Sequence, residues 1–274
     1  IRDIRNAPAF LEPDVFRTLQ MLPGVQTISD WSSALYVRGS TPDQNLLMLD
    51  GITVYNPYHL GGIFSTFNAD AIKEADFRAG GFPARYGGRM GAILNIINRE
   101  GNTEKVSGSG NISLISSKAL LEGPVPKWRN IKGSWMVSGR RTYFDKIINM
   151  MNIPTGDGNS KNDDEQDNNE GTIQFPYYFY DYQVKINTDI GDNNRLTYSR
   201  FYGRDILTFE FSDSESGDDG NRRQSDFNIN WPWGNKTNGL TWRWIATPNI
   251  IVKTFLAHSE YNFNMNFNGG DEFI

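Results

Sequence analysis

The second half of the chain alternates between apolar and polar residues with a period of two. Between residues 178 and 187, tyrosine and aliphatic side chains occupy the even positions, whereas Asp181, Gln183 and Lys185 occupy odd ones. Successive side chains of a β-strand point to opposite faces, so this pattern predicts strands with one apolar and one polar face. About seven strands are predicted, at roughly 105–121, 130–143, 178–187, 195–211, 227–231, 240–244 and 261–268.

The connections between these strands differ in length. Turn residues predict short connections at 191–194, 234–235 and 248–249, whereas 154–171 and 212–221 are longer and acidic. Long antiparallel strands with short turns at one end and long loops at the other are typical of outer-membrane barrels. A soluble β-sandwich with an aromatic, sugar-binding face is the alternative. Strand length and loop asymmetry favour the barrel.

A row of asparagines near the end of the chain bears on which face is inside. Asn262, Asn264, Asn266 and Asn268 alternate with Tyr261, Phe263, Met265 and Phe267. We expect this row to face the lumen, because lipid does not tolerate a row of amides. Alternatively, these residues lie above the membrane, where the strands extend into solvent.

Residues 1–102 predict a small α+β domain, and residues 103–274 predict the β-rich part. Apolar spacing predicts a helix that starts at Pro13 and ends at Pro23-Gly24. A second, short helix is predicted over 68–73, with Asn68 as its N-cap. Strands are predicted at 35–38, 46–49, 52–55 and 92–97, with a hairpin turn at Asp50-Gly51.

The amino-acid composition argues against several classes of function. The chain has 274 residues, a net charge of −5 and no cysteine, which excludes thiolate metal sites and argues against nucleic-acid binding. His59 and His258 are the two histidines, and no nucleophile elbow or metal-binding helix spacing occurs. The acidic stretch 162–170 does not match an EF-hand, and a solvated loop is predicted there. We predict no catalytic residue, metal or cofactor.

Four ordered motifs indicate a family. The stretches 22–25, 36–39, 46–54 and 86–97 resemble the plug domain of TonB-dependent outer-membrane receptors. Residues 6–25 and 81–86 are most similar to the branch with a carboxypeptidase-regulatory-like domain ahead of the plug. The resemblance implies a mainly β protein with a plug inside a transmembrane barrel of about 22 strands. About seven of these are expected here, so the chain is expected to stop partway round the barrel.

The resemblance also implies a function and a location. A receptor of this kind takes up a large nutrient into the periplasm of a Gram-negative bacterium: a siderophore, cobalamin, an oligosaccharide or a peptide. Its implied partners are TonB with its inner-membrane motor, through a segment upstream of residue 1, then outer-membrane lipid and a surface lipoprotein. A plugged barrel that serves as a scaffold or secretion component is the rival interpretation.

The motifs supply candidate residues for fastening the plug to the barrel. The family usually has an Arg-Gly pair before Tyr-Gly; here Ala79-Gly80 takes that place, with Arg78 one position earlier. Which arginine pairs with the barrel wall therefore stays open. The candidates for plug motif and latch are Arg38, Gly39, Asp50, Gly51, Arg78, Gly80, Arg85, Tyr86, Gly87 and Arg89. The substrate-binding residues are not predicted.

Arg38 gives the first testable prediction. A guanidinium between plug and wall would bind a carboxylate in bidentate geometry. We expect Arg38→Ala to loosen the plug and to increase the entry of a large antibiotic such as vancomycin, measured as a lower inhibitory concentration. Unchanged sensitivity at normal expression would contradict a latch at this position.

Overall fold

A computed structural model describes residues 12–126, 130–144, 146, 177–216 and 222–273. The acidic stretches predicted at 154–171 and 162–170 lie outside these residues. We name residues 12–98 the plug segment and the large antiparallel sheet whose strands lie between residues 107 and 273 the wall sheet.

The plug segment begins with one short helix. Helix α1 spans Val15–Gln20, and Asp14 is its N-cap, accepting hydrogen bonds from the amides of Phe16 and Arg17. The predicted helix is therefore confirmed, but it starts after Asp14 and not at Pro13. Asp14 also accepts from the amide of Ser65 at 2.7 Å. None of the helices in the described residues is long and apolar enough to cross a lipid bilayer.

Eight short strands complete the plug segment: β1 (Val25–Gln26), β2 (Tyr36–Val37), β3 (Leu46–Leu49), β4 (Ile52–Thr53), β5 (Tyr58–His59), β6 (Phe64–Ser65), β7 (Ile72–Arg78) and β8 (Ile93–Asn98). Short 3₁₀ turns lie at Pro42–Gln44 and Leu60–Gly62. The main sheet has the order β4-β3-β8-β7, with β3 and β8 parallel. The helix predicted over 68–73 is wrong: Asn68 caps a turn through the amide of Asp70, and β7 follows.

One apolar core holds this segment together. It unites α1 with the inner strands β3 and β8, most of whose apolar residues are buried. Its fully or nearly fully buried members include Val15, Phe16, Leu35, Val37, Leu49, Phe67, Ile72, Leu94 and Ile96.

The wall sheet is antiparallel and contains β9 (Ser107–Ile112), β10 (Ser116–Pro124), β11 (Ile131–Thr142), β12 (Tyr177–Ile190), β13 (Asn194–Ser216), β14 (Arg222–Thr247), β15 (Ile250–Phe263) and β16 (Asn266–Phe273). Both β15 and β16 pair with β14, one after the other. The eight strands therefore occupy seven positions in the order β15-β14-β13-β12-β11-β10-β9.

The strand boundaries differ from the prediction in several places. The predicted strand 105–121 is a hairpin, β9–β10, and the predicted loop 212–221 is in part strand. The predicted turn at Gly234-Asn235 is wrong, because β14 runs through it. Gly234 is needed for close packing: a Cβ at this position would lie 2.2 Å from the carbonyl oxygen of Gly203 on β13.

The faces of the wall sheet are inverted relative to a soluble protein. In β12 the polar residues Asp181, Gln183, Lys185 and Asn187 are buried against the plug segment. On the opposite face, apolar side chains are exposed, among them Leu121, Val137, Ile186, Ile190, Leu240, Trp242, Trp244, Val252 and Leu256. We call these the inward and outward faces.

The asparagine row does not face inward as expected. Asn262 pairs with Gly234 and bonds Glu260 on the outward face, while Asn266 and Asn268 pair with Asn230 and Asn228. The residues on either side of Asn262, Tyr261 and Phe263, face inward and line a cavity against the plug segment. The expectation of a luminal row is wrong, which leaves the alternative that these residues extend above the membrane.

Gly234 generates the second prediction. We expect Gly234→Ala to weaken the β13–β14 pairing, because overpacking against backbone costs about 1–3 kcal/mol. The matched control is Gly139→Ala in β11, where a new Cβ would lie 3.8 Å from the nearest atom. The measurement is the fraction of protein that keeps its compact, heat-modifiable band on electrophoresis. Equal behaviour of the two variants would contradict a steric need for glycine at 234.

Candidate functional site: the contact between plug segment and wall sheet

Arg140 is the centre of the contact between the two parts. It lies on the inward face of β11 and is 5% exposed. Its Nε donates to Asp181 Oδ2 of the neighbouring strand at 2.7 Å. Its other two nitrogens reach the plug segment, where Nη1 donates to Glu12 Oε1 and Nη2 to the carbonyl oxygen of Ser65, both at 2.9 Å. One wall side chain thus binds two separate parts of the plug segment.

Glu12 has a second cationic partner on the wall. Lys118 Nζ on β10 lies 2.8 Å from Glu12 Oε2, and Ser116 Oγ donates to the same oxygen at 3.1 Å. Burial raises the pKa of the Glu12 carboxyl, but Arg140 and Lys118 outweigh burial and hold that pKa below its ordinary value. Glu12 is therefore an ionised, fully paired group.

His59 forms the other half of the network. It is completely buried, and its Nδ1 lies 2.7 Å from Asp205 Oδ2 on β13. Its Nε2 lies 3.6 Å from Asp181 Oδ2, within ion-pair distance. The imidazole stacks on Phe179 with ring centroids 3.9 Å apart. Burial alone would lower the pKa of His59, but Asp205 and Asp181 raise it above its ordinary value.

The charges in this site balance when His59 is protonated. Three acids then face three bases, and we call the six residues the buried ionic network: Glu12, His59, Lys118, Arg140, Asp181 and Asp205. Buried charges persist only when they are paired and hydrogen-bonded. Two members belong to the plug segment and four to the wall sheet, so neither part can satisfy its own charges alone.

A second ion pair lies nearer the turns at 191–193 and 248–249, which we call the turn end of the wall. Lys185 Nζ contacts Asp50 Oδ1 at 2.6 Å and donates to the carbonyl oxygen of Asn98 at 3.0 Å. Asp50 also accepts hydrogen bonds from Asn98. The predicted hairpin turn is confirmed by the Leu49–Ile52 pairing, and its Asp50 additionally binds the wall.

At the opposite end, which we call the loop end, a cavity of about 560 Å³ separates the plug segment from the wall sheet. Asn56 bridges the two parts there, because its amide and side chain bond Asn235 and Tyr261. The lining is aromatic and apolar with few polar groups: Asn56, Tyr58, Leu60, Gly61, Tyr177, Leu207, Trp231, Trp233, Tyr261 and Phe263. Burial raises the pKa of Tyr58 to about 12, so its phenol is neutral.

The arginines that were predicted as latch residues lie away from the contact between plug segment and wall sheet. Arg38 has a φ of +50°, precedes Gly39 at φ +83°, and is exposed beside Gly80. Arg78 pairs with Asp76 of its own strand. Within the described ranges, none of these arginines pairs with the wall sheet, so their latch role stays a prediction.

The remaining motif residues also lie in exposed loops of the plug segment. Arg85 donates to the Tyr86 hydroxyl at 2.9 Å, and Arg89 donates to the carbonyl oxygen of Gly88. Gly87 is exposed between them, and Gly51 takes a φ of +82° in its turn. Of the predicted set, Asp50 is the residue whose side chain pairs with a charged group of the wall sheet.

Sequence reasoning missed the buried ionic network. Asp181 and Lys185 were visible as polar residues on an alternating strand, and the inward position of Arg140 follows the same pattern. Their plug partners carried no such signal, since Glu12 and His59 lie in irregular or very short elements. Long-range pairing of single charged residues leaves no periodic trace in the sequence.

Comparison with known proteins identifies the N-terminal part. Residues 11–93 match the TonB-dependent receptor plug domain family, which confirms the resemblance in the motifs. Residues 11–93 therefore form a domain of the TonB-dependent receptor plug type, and the antiparallel wall sheet follows it.

Solved structures of two receptors and one transporter are similar over most of this chain. The siderophore receptor PirA from Pseudomonas aeruginosa is 13% identical, with a TM-score of 0.45 over 96% of this chain and 57% of that one. The copper transporter OprC is 10% identical, with a TM-score of 0.47 over 93% and 44%. The alcaligin receptor FauA from Bordetella pertussis is 11% identical, with a TM-score of 0.32 over 95% and 55%. The chain spans about half the length of these proteins.

His59 generates the third prediction. Because its folded-state pKa is raised, protonated His59 contributes stability that is fully present below its unfolded pKa of about 6.5. That stability is lost as the pH rises through the folded-state pKa. We expect the urea midpoint of the purified protein, followed by tryptophan fluorescence, to fall with rising pH in this range.

Two histidine variants make the test specific. In His59→Gln this part of the pH dependence should disappear, whereas His258→Gln, at an exposed strand position, should keep it. A pH profile that His59→Gln leaves unchanged would assign the titration to another group.

Proposed function

We propose that this chain forms the plug and part of the barrel wall of a TonB-dependent transporter in the outer membrane of a Gram-negative bacterium. The observation that carries the proposal is the inverted wall sheet, whose polar face is buried by the plug segment and whose apolar face points outward. A soluble sandwich would bury its apolar faces instead. We place the domain boundary at residues 102 and 103, between β8 and β9.

The proposed role is energised import without covalent chemistry. The plug blocks the lumen of the barrel, and a large nutrient crosses only when the plug moves or rearranges. Such movement must break the buried ionic network and the Asp50–Lys185 pair, which leaves several charges to be hydrated. TonB and its inner-membrane motor, acting through a segment upstream of residue 1, would supply the work.

We place the first ligand contacts at the loop end. The cavity there is bordered by plug residues and by wall residues, so a ligand in it would contact both parts. A ligand that binds the closed and open states equally shifts nothing, so contact with both parts is what gating requires. The aromatic lining suits a ligand with flat or apolar faces. Siderophores, cobalamin, oligosaccharides and peptides are the classes to be tested, with or without a surface lipoprotein.

A covalent tether between plug and wall generates the fourth prediction. The Asn68 amide donates to Ser138 Oγ at 2.9 Å, and both side chains are buried. The chain contributes no cysteine of its own, so Asn68→Cys with Ser138→Cys creates a defined pair. We expect the oxidised pair to abolish uptake and a reductant to restore it.

The measurement is uptake by cells that express the full-length protein. Labelled ferric siderophores, cobalamin, oligosaccharides and oligopeptides are offered to cells with and without TonB. Each single-cysteine variant is the matched control and should transport normally. TonB-independent passage, or full uptake through the oxidised pair, would contradict gated import; a scaffold or secretion component would show no uptake of any class.

A further inference from the structure

The cavity at the loop end is lined mainly by aromatic rings from both parts of the molecule. Its volume of about 560 Å³ lies in the range of pockets that enclose small organic ligands. Six of its described lining residues are aromatic, one from the plug segment and five from β12, β14 and β15: Tyr58, Tyr177, Trp231, Trp233, Tyr261 and Phe263. A ligand in this cavity would therefore contact several flat surfaces at once.

Strand register brings the wall rings together. Trp231 and Trp233 occupy alternate positions of β14 and so share its inward face, and Phe263 of β15 lies opposite Trp233. The ring centroids of Trp231 and Trp233 are 6.1 Å apart, and those of Trp231 and Phe263 are 5.7 Å apart, both in edge-to-face arrangement. Tyr177 stacks on Trp233 at 6.2 Å. The rings thus hold one another in place, so little side-chain entropy is lost when a ligand binds.

The described lining of the cavity is uncharged. Besides the rings it consists of one amide, two aliphatic side chains and a glycine, with no acid or base among the described residues. Arg204 and Lys236 adjoin Asp205 and Asn235, which are buried on the inward face, so these two cations project outward. A charged ligand would be desolvated here without a counter-charge from the described lining, which is costly. The cavity therefore favours a neutral ligand.

The carboxylate of Asp205, which is bonded to Tyr177, is withheld from the cavity. Its Oδ1 accepts from the Tyr177 hydroxyl and from the Leu60 amide, the latter at 3.2 Å. Its Oδ2 lies 2.7 Å from His59 Nδ1, and the residue is 1% exposed. A ligand in the cavity consequently meets the ring of Tyr177 and not the charge of Asp205.

Polar groups of the lining call for a ligand that can form hydrogen bonds. Asn56 Nδ2 donates to the Tyr261 hydroxyl at 3.3 Å, which leaves the phenolic proton of Tyr261 available as a donor. The indole N–H of Trp231 is buried without an acceptor in the described part of the chain. Such a donor is destabilising, so a rearrangement that brought it a ligand oxygen would be favourable. A purely apolar ligand would satisfy neither group.

We propose that the loop-end cavity binds one end of a neutral oligosaccharide. This inference deepens the proposed function and rests on its placement of the first ligand contacts at the loop end. One face of a pyranose ring carries C–H groups with a small positive charge, which the negative face of an aromatic ring attracts. The hydroxyl groups at the edge of the sugar both donate and accept, as Asn56 and Tyr261 require.

The other nutrient classes fit this lining less well. A ferric tricatecholate carries several negative charges and cobalamin carries a phosphodiester, for which the described lining offers no cation. An apolar peptide has no such charge and is the competing occupant in the experiment.

The experiment is isothermal titration calorimetry on the full-length protein, in a detergent without a sugar head group. The probes are neutral hexasaccharides of α-1,4-glucan, β-1,4-glucan, β-1,4-xylan and β-1,4-mannan. The comparison ligands are a ferric tricatecholate and an apolar hexapeptide with blocked termini. We expect at least one hexasaccharide to bind and neither comparison ligand to do so.

Variants of the lining assign the binding to the cavity. Trp233→Ala should lower the affinity for the bound hexasaccharide about tenfold, because a stacking surface is lost, and Trp233→Phe, which keeps a ring, should lose less. Tyr261→Phe removes the hydroxyl alone and should cost about fivefold. The matched control is Trp242→Ala, since Trp242 lies on the same strand but on the outward face. It should bind like the wild type.

Three outcomes would overturn the oligosaccharide site. These are binding of none of the hexasaccharides, binding of the peptide or the ferric complex in their place, and a hexasaccharide affinity that Trp233→Ala leaves unchanged.

Uptake by cells separates this proposal from the proposed function. If TonB-dependent cells import a ferric siderophore or a peptide while the purified protein binds no hexasaccharide, the oligosaccharide proposal fails and the transport proposal stands. If a hexasaccharide binds through Trp233 but does not enter cells that have TonB, the transport proposal fails and the cavity keeps its ligand class.

Discussion

The structure depends on the burial of Arg140. A guanidinium removed from water costs several kcal/mol unless every donor finds a partner. Asp181 supplies one partner from the wall, but Glu12 and the carbonyl of Ser65 come from the plug segment. The inward face of the wall is therefore incomplete without the plug. An apolar pair of the same size would hold two surfaces together as well, but it would not require one specific partner.

This dependence has a consequence for the plug movement that the proposed import function requires. Apolar contacts are lost as soon as two surfaces separate by about one ångström. A buried ion pair keeps much of its attraction while the gap stays dry, and loses most of it when water enters and raises the local dielectric constant. His59, Asp205 and the Asp50–Lys185 pair place such contacts at two levels of the wall. A plug held in this way stays closed against small fluctuations. It also becomes hydrated, and so releasable, once a force has opened the first gap.

The sequence predicted what is periodic or local, and missed what is long-range. The alternation of apolar and polar residues predicted most strands of the wall sheet, and the dipeptide Asp50-Gly51 predicted the hairpin turn between β3 and β4. Each of these signals lies within a few residues of the chain. Gly234 misled the prediction, since a glycine beside asparagine indicates a turn, whereas here it permits the close approach of Gly203. Asn68 misled it in the same way: a side chain that caps a helix caps a β-turn equally well. Arg140 carried no signal of its role, because Glu12 is more than a hundred positions away.

Two neighbouring residues of β11 show that the register of one strand determines which side chains face the plug segment and which face outward. Arg140 points inward to the ionic network, and Arg141 points outward and lies over the Tyr178 ring, although the two are chemically identical. A slip of β11 by one residue would exchange every side chain between the faces. It would leave Glu12 and Asp181 without their guanidinium and would also turn Met136 outward and Val137 inward. The buried charges therefore do more than join plug to wall. They make the correct register the one arrangement in which both faces of the strand meet the surroundings that suit them.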